Sequence, residues 1–481
     1  MPDHPRHLLT LWSPSYCGVA IGLAASLGAG CAPSEPEPPQ IVGDAPALLF
    51  EGARVILGDG DLIENGAFLV QGDRIVGLGR TGEVAASSGA TTIDLSGKTV
   101  IPAMIDAHTH LGYEAYTSWG AENYTRVNLI EHLERYAYYG FGAVFSAGSD
   151  PHALALEIQR AQEEGDIRGA RFLFAAGMAP PDQGPNAQFV GHALALADQT
   201  GMTVLTGVTS AEEGRSAVRE VARAGIRFIK IWVDDRGGSQ EKLGRDVYRA
   251  IVDEARAHDI DVFVHQQNAL DMPDLLEAGV SGFLHGRIGT ATDDLLSAQI
   301  RDAGAFLVPN LGLGELRRER LGDDPFLGET TTAEVTGRLN EAYDARTRAR
   351  GGVISGRAAA EAALRQGFQR LLSANVRIVL GTDAGALPGH FFGYTGHREL
   401  EIFVRIGMTP MQAIVAATGR AAAGLGLSDL GTLAPGKSAD FVILDANPLD
   451  DIRNTRAISG VYLRGHEVDR EGLRARWTGG G

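Results

Sequence analysis

The chain has 481 residues, 44% hydrophobic and 21% charged, a globular composition that at a soft prior of roughly 150 residues per domain asks for two or three folding units. Acidic residues outnumber basic ones 60 to 43, a formal charge of -17 with no basic patch to interrupt it, so nucleic acid and anionic membrane surfaces are poor partners on charge. The only cysteines are Cys17 and Cys31, so any metal site has to be built from His, carboxylate or modified Lys.

Residues 1–30 carry Arg6 and His7, an apolar stretch from Leu8 to Leu27, and then Gly28, Ala29 and Gly30, the layout of a signal peptide. Trp12, Ser13, Pro14 and Ser15 break the run, which leaves too short a span for a membrane helix. Cys31 resembles the lipidated cysteine of bacterial lipoproteins, although Gly28 stands where that pattern has a branched apolar residue. Residues 31–46 read as a Pro/Glu-rich tether, which predicts an exported, periplasmic or cell-envelope protein with a possible lipid anchor.

Residues 47–100 alternate short apolar runs with Gly-Asp turns, as in LLFEGARVILGDG and AFLVQGDRIVGLG. The same texture returns over 426–472 in GTLAPGKSADFVILDANP and ISGVYLRGHEV, so a small β-sandwich domain built from both chain ends is expected. Between them, over 101–425, eight apolar strand candidates near 104, 143, 172, 228, 262, 282, 305 and 377 alternate with amphipathic stretches such as EIQRAQEEG and DLLEAGV. That alternation predicts an α/β fold with a parallel sheet, closed as a (β/α)8 TIM-like barrel. The interval from about Leu311 to Arg370 is too long for a plain connection, is charged and helical in pattern with a break at Gly351, Gly352 and Gly356, and reads as a lid or binding insertion.

Active sites of such barrels lie at the C-terminal ends of the strands, and the chemistry-bearing residues sit there. His108 and His110, two apart on one strand, face the same way and can share a metal, though a strand can carry two histidines by chance. Lys230 on the fourth strand, His265 on the fifth, His285 on the sixth and Asp383 on the eighth join them. Singly each has an ordinary explanation, such as a satisfied core histidine, an ion-paired lysine or a helix-capping Asp; six together point to a metal centre.

PAMIDAHTHL, FIKIW, FVHQQ, FLHGR, VLGTDAG and GTLAPGKSADFVILD, taken in order, resemble the amidohydrolase superfamily of metal-dependent hydrolases, in its imidazolonepropionase-like or Xaa-Pro-dipeptidase-like branch. The loop MAPPDQGPNAQ departs from the dipeptidase-like pattern in having no Gly-Gly-His element. The resemblance implies two divalent ions, with Zn the default. His108, His110 and Asp383 would hold one and His265 and His285 the other, with Lys230 bridging them as a carbamate. Carbamate oxygens suit ions about 3.5–4 Å apart, and the apolar Phe228, Ile229, Ile231 and Trp232 favour the neutral amine from which a carbamate forms. A water acidified between the ions would attack a carbonyl, and Asp383 would carry its proton to the leaving nitrogen. Tyr113, Asn186, Gln266, Arg287, Asn310, His390 and His397 are candidate substrate contacts. The expected substrate is a small molecule with an amide or peptide bond, such as a dipeptide or an N-acyl amino acid. The alternatives are a cyclic amide or lactone, or a non-catalytic binding protein on the same scaffold.

Overall fold

The computed structural model describes residues 47–86, 89–285, 291–349 and 357–479. The signal, the tether, Cys31, Arg287 and the three glycines at 351, 352 and 356 lie outside the described residues. Among the described residues, no helix is long and apolar enough to cross a membrane.

Five strands open the described chain: β1 (Ala47–Ile56), β2 (Leu62–Gln71), β3 (Arg74–Arg80), β4 (Thr91–Asp94) and β5 (Thr99–Pro102). Ten short parallel strands follow: β6 (Met104–Thr109), β7 (Phe141–Ser146), β8 (Arg171–Phe174), β9 (Ala176–Ala179), β10 (Leu205–Gly207), β11 (Phe228–Trp232), β12 (Asp261–His265), β13 (Gly282–Leu284), β14 (Phe306–Val308) and β15 (Arg377–Ile378). Three more close it: β16 (Phe441–Leu444), β17 (Ile458–Leu463) and β18 (His466–Glu467).

The first five and last three strands form one sheet in the order β18-β17-β16-β5-β1-β2-β3, with β4 beside β1. β5 joins the two halves, pairing in parallel with β1 on one side and antiparallel with β16 on the other, and the Phe68 ring of β2 lies 4.9 Å from Phe441 of β16, so the ladder curls back on itself. Its core is aromatic: Phe50 stacks on Phe68 at 4.9 Å, and Phe441 on Tyr462 at 4.8 Å.

The parallel strands form a seven-stranded sheet, β10-β9-β11-β12-β13-β14-β15, and a three-stranded one, β6-β7-β8. Strands stand at all eight positions predicted from the sequence; β9 and β10 are additional. At one margin β8 runs into β9 through Ala175 alone. At the other, the Ala107 amide donates to the Leu380 carbonyl at 3.0 Å and the His110 amide to that of Ala384 at 2.8 Å. Ile105, Phe145, Phe228, Phe263, Phe306 and Val379, from six different strands or strand ends, share one buried cluster. The Phe145 ring lies 5.2 Å from both Phe228 and Phe263. Burial of each such ring contributes about 1.5–3 kcal/mol, so this cluster fixes the strands under the site.

The helices between strands follow their capping chemistry. Helix Ala211–Arg223 starts where the Ser210 side chain accepts the Glu213 amide, carries Glu212 and Glu213 in its first turn, and buries Ala217, Val218 and Val221. The long interval after β14 is helical, as its charge pattern predicts, with helices Ala333–Ala349 and Arg357–Ser373.

Candidate metal centre

Four imidazoles stand in a row at the ends of β6, β12 and β13: ring centroids are 5.4 Å apart for His110 and His108, 4.6 Å for His108 and His285, and 4.8 Å for His285 and His265. Asp383, five residues past the end of β15, points its carboxylate at three of them. Its Oδ1 lies 3.4 Å from His108 Nε2 and 3.2 Å from His110 Nε2, and its Oδ2 lies 3.4 Å from His285 Nε2. One donor atom each from His108, His285 and Asp383 falls within 4.8 Å of the others, a spacing that could hold an ion.

Backbone details bring these groups together. The register of β6 against β7 slips between Asp106 and Thr109. By strand alternation Ile105 and Ala107 join the apolar cluster, whereas His108 and His110 occupy the alternate positions. The buried Asp106 carboxylate accepts from the amides of His108 (3.2 Å) and Thr382 (3.0 Å) and from the hydroxyls of Thr382 (2.6 Å) and Tyr136 (2.8 Å). It thereby fastens the His108 segment to the one that carries Asp383. Burial pushes its pKa up to about 6 against the pull of these donors. Gly385 has φ +82, and a Cβ there would sit 1.9 Å from the His110 carbonyl oxygen, so only glycine lets the two segments approach so closely.

The chemistry of the donor set fits a cation. His108 Nδ1 donates to Asn310 Oδ1 at 3.0 Å, so in a neutral ring Nε2 carries a lone pair. That lone pair faces a carboxylate oxygen across 3.4 Å, and neither atom has a hydrogen-bond partner. Two buried electron-rich atoms in that position repel each other unless a positive charge sits between them. Burial holds His108 and His285 well below the usual histidine range, so the ring itself does not supply that charge. Lys230 completes the picture: it is fully buried, its Nζ has no partner, and burial draws its pKa down to about 7 against the partial support of Asp383. Its stem lies against Gly148, where a Cβ would come within 2.8 Å of Lys230 Cβ.

His265 is placed differently from the rest. Its Nε2 donates to Asp234 Oδ2 at 3.0 Å. Burial would raise Asp234, but this bond and the Arg236 amide hold its pKa down at about 2. Asp234 and Arg236, from the turn after β11, are site residues that sequence reading missed; Arg236 lines the small cavity over the centre together with Asn186, Phe189, Trp232 and Gln267. The only sequence signal for them was two acids and an Arg directly after FIKIWV.

The predicted substrate contacts divide. Asn186 lines the cavity, although its side chain also caps helix Ala187–Thr200 by accepting the Phe189 amide. Four others do not line the cavity. Tyr113 is fully buried behind Phe189, its hydroxyl donating to the Ser149 carbonyl. Gln266 is buried with no partner for its amide among the described residues, and its neighbour Gln267 faces the cavity instead. Asn310 is spent on orienting His108. His397 lies on helix Tyr394–Ile406, where its Nε2 donates to the Tyr139 carbonyl and its Nδ1 meets Thr455, so it is a core histidine. His390 is buried, donates from Nδ1 to the Asp383 carbonyl at 3.2 Å, and borders a neighbouring cavity.

Asn310 yields a direct prediction. Asn310→Ala frees the His108 ring and is expected to weaken metal binding by roughly 10–100-fold, read by competition with a chromophoric chelator. Unchanged affinity would show that the Asn310 bond does not set the ring.

The amidohydrolase family matches residues 99–468, most of the chain. The chain belongs to the amidohydrolase family. It is 27% identical over 405 residues to an imidazolonepropionase of Streptomyces griseus, covering 81% of this chain and 89% of that one. It is 24% identical over 456 residues to an ochratoxinase of Aspergillus niger, covering 88% of this chain and 86% of the relative. Among solved structures it resembles a Xaa-Pro dipeptidase crystallised with methionine in its active site, with a TM-score of 0.66 and 23% identity, covering 88% of this chain and 99% of the other. The protein is thus a hydrolase of the amidohydrolase family, with an α/β fold and a His/Asp site able to bind a metal.

Proposed function

We propose that this amidohydrolase cleaves the carbon–nitrogen bond of a small linear amide, such as a dipeptide or an N-acyl amino acid, at the His108–His285–Asp383 centre. The observation that carries the reading is the buried carboxylate of Asp383 set against three imidazole nitrogens at 3.2–3.4 Å. Relatives named for hydrolysis of an imidazolone, of ochratoxin and of Xaa-Pro dipeptides support the reaction class. The backbone bonds from Ala107 and His110 to the segment after β15, with the shared apolar cluster, support closure of the parallel strands into an eight-stranded barrel that presents the site at its carboxyl end.

His108, His110 and Asp383 would hold one ion, and His285 and His265 a second, with Lys230 between them as a carbamate. When bound, the metal supplies a Lewis acid for the carbonyl oxygen and lowers the pKa of water. The chain's own groups do the rest. Asp383 takes a proton at its carboxylate and returns it to the leaving nitrogen. Ser149, at 2.7 Å from His110 Nδ1, and Asn310 fix the two rings of β6. Arg236, in the cavity wall, offers a planar fork for a substrate carboxylate. The bond from His265 to Asp234 favours a second reading, one ion held by His108, His110 and Asp383, with His265 kept for positioning.

A panel of dipeptides, N-acyl amino acids, cyclic amides and lactones offered to zinc-loaded protein tests the substrate class. Turnover of linear amides is the expected result. Turnover confined to lactones or cyclic amides would replace this substrate class with the other.

A further inference from the structure

The cavity directly over the metal centre has a volume of only about 90 Å³, below the lower limit of roughly 300 Å³ usual for sites that enclose a ligand. It shares Leu313 and Leu387 with a second cavity of about 470 Å³, which lies between the loops at 114–119 and 387–391 and the helical insertion. Its walls have a definite chemistry. Tyr116 and Phe391 stack on each other at 4.4 Å and 5°, with Arg135 over the other face of Tyr116 at 3.7 Å, and this packed pair lines the cavity together with Leu316, Val335 and Leu339.

Two polar groups of this cavity are unspent. His390 is 4% exposed; its Nδ1 donates to the Asp383 carbonyl, so its Nε2, which has no partner, is a hydrogen-bond acceptor. Arg317 makes no ion pair among the described residues, whereas its cavity neighbours Glu319 and Arg338 are paired with Arg398 and Glu334. An apolar slot with one acceptor and one free cation is complementary to a flat ring that carries a hydrogen-bond donor and an anionic group.

We propose that this second cavity binds the ring-bearing, anionic half of the substrate, with the ring in the apolar lining of Leu316, Val335, Leu339 and Phe391, its donor on His390 Nε2 and its negative charge at Arg317. The proposal deepens the amide-hydrolase reading and rests on it. It makes the insertion after β14 the determinant of substrate choice, and the apolar lining selects ring-bearing amides over short aliphatic ones.

The test is calorimetric titration of the zinc-loaded full chain with 3-(4-hydroxyphenyl)propionate, which carries ring, hydroxyl and carboxylate but no scissile bond. Binding is expected to weaken at least tenfold in Arg317→Gln, an exposed position that should not disturb folding, and in Leu339→Trp, which fills the slot. 3-Phenylpropionate, without the hydroxyl, should bind several-fold more weakly than the first probe. Equal affinity in wild type and both variants would place the probe's carboxylate on the metal and overturn the proposal, as would no detectable binding to wild type at millimolar probe. The two readings fail separately. A blank amide panel with probe binding intact removes the hydrolysis reading and leaves the ring site standing, whereas turnover of amides with unaltered probe binding in the variants removes only the ring site.

Discussion

Asp383→Asn is expected to keep the fold and the cavity while lowering turnover by about 10²–10⁴-fold or more, a loss of roughly 3–5 kcal/mol of transition-state stabilisation. Asparagine is nearly the same size and retains one oxygen for the His110 and His108 side of the site. It carries no negative charge and cannot accept and return a proton. The fold should survive because the backbone at 383 is held independently: its amide donates to the His108 carbonyl at 2.7 Å, and its carbonyl accepts from His390. Turnover, metal content and the thermal melt of the purified variant read the three effects apart. A variant with normal metal content and a rate near wild type would remove Asp383 from the proton-carrying role.

Lys230→Ala is expected to remove one of two bound ions and most of the activity, with the fold retained. In the interior an unpaired lysine is costly in its charged form, and removing it relieves that cost while opening a cavity, so the net effect on stability is modest compared with the effect on metal. Metal analysis of wild type and variant decides the matter. Two ions falling to one supports the bridging carbamate; one ion in both proteins establishes the single-ion reading that the His265–Asp234 bond favours.

Much of the architecture was legible because parallel strands buried on both faces show as apolar runs, and these punctuate the chain at eight places. The six candidate site residues stand out for the same reason: a His, Lys or Asp at the end of such a run is conspicuous. What lay hidden depends on distant partners. Asp106 is separated by 276 residues from Thr382, the hydroxyl it binds, and within MIDAHTH nothing distinguishes it from a surface acid. The register slip of β6 against β7 between Asp106 and Thr109 leaves no mark in composition. Asn310 and His397 were named for polarity near strand ends, but side-chain direction decides their roles, and one turns to His108 and the other into the core. The terminal sheet was visible as texture, while its single-ladder order follows from the placement of β5 between β1 and β16, a long-range choice.

The most direct test of the central claim is turnover of a hydrolysed amide by protein stripped of metal with a chelator and then titrated with zinc. A metal-dependent hydrolase is predicted to lose turnover on stripping and to regain it in proportion to zinc bound at the His108–His285–Asp383 centre, with no recovery in Asp383→Asn. Full turnover in the stripped protein would contradict the account.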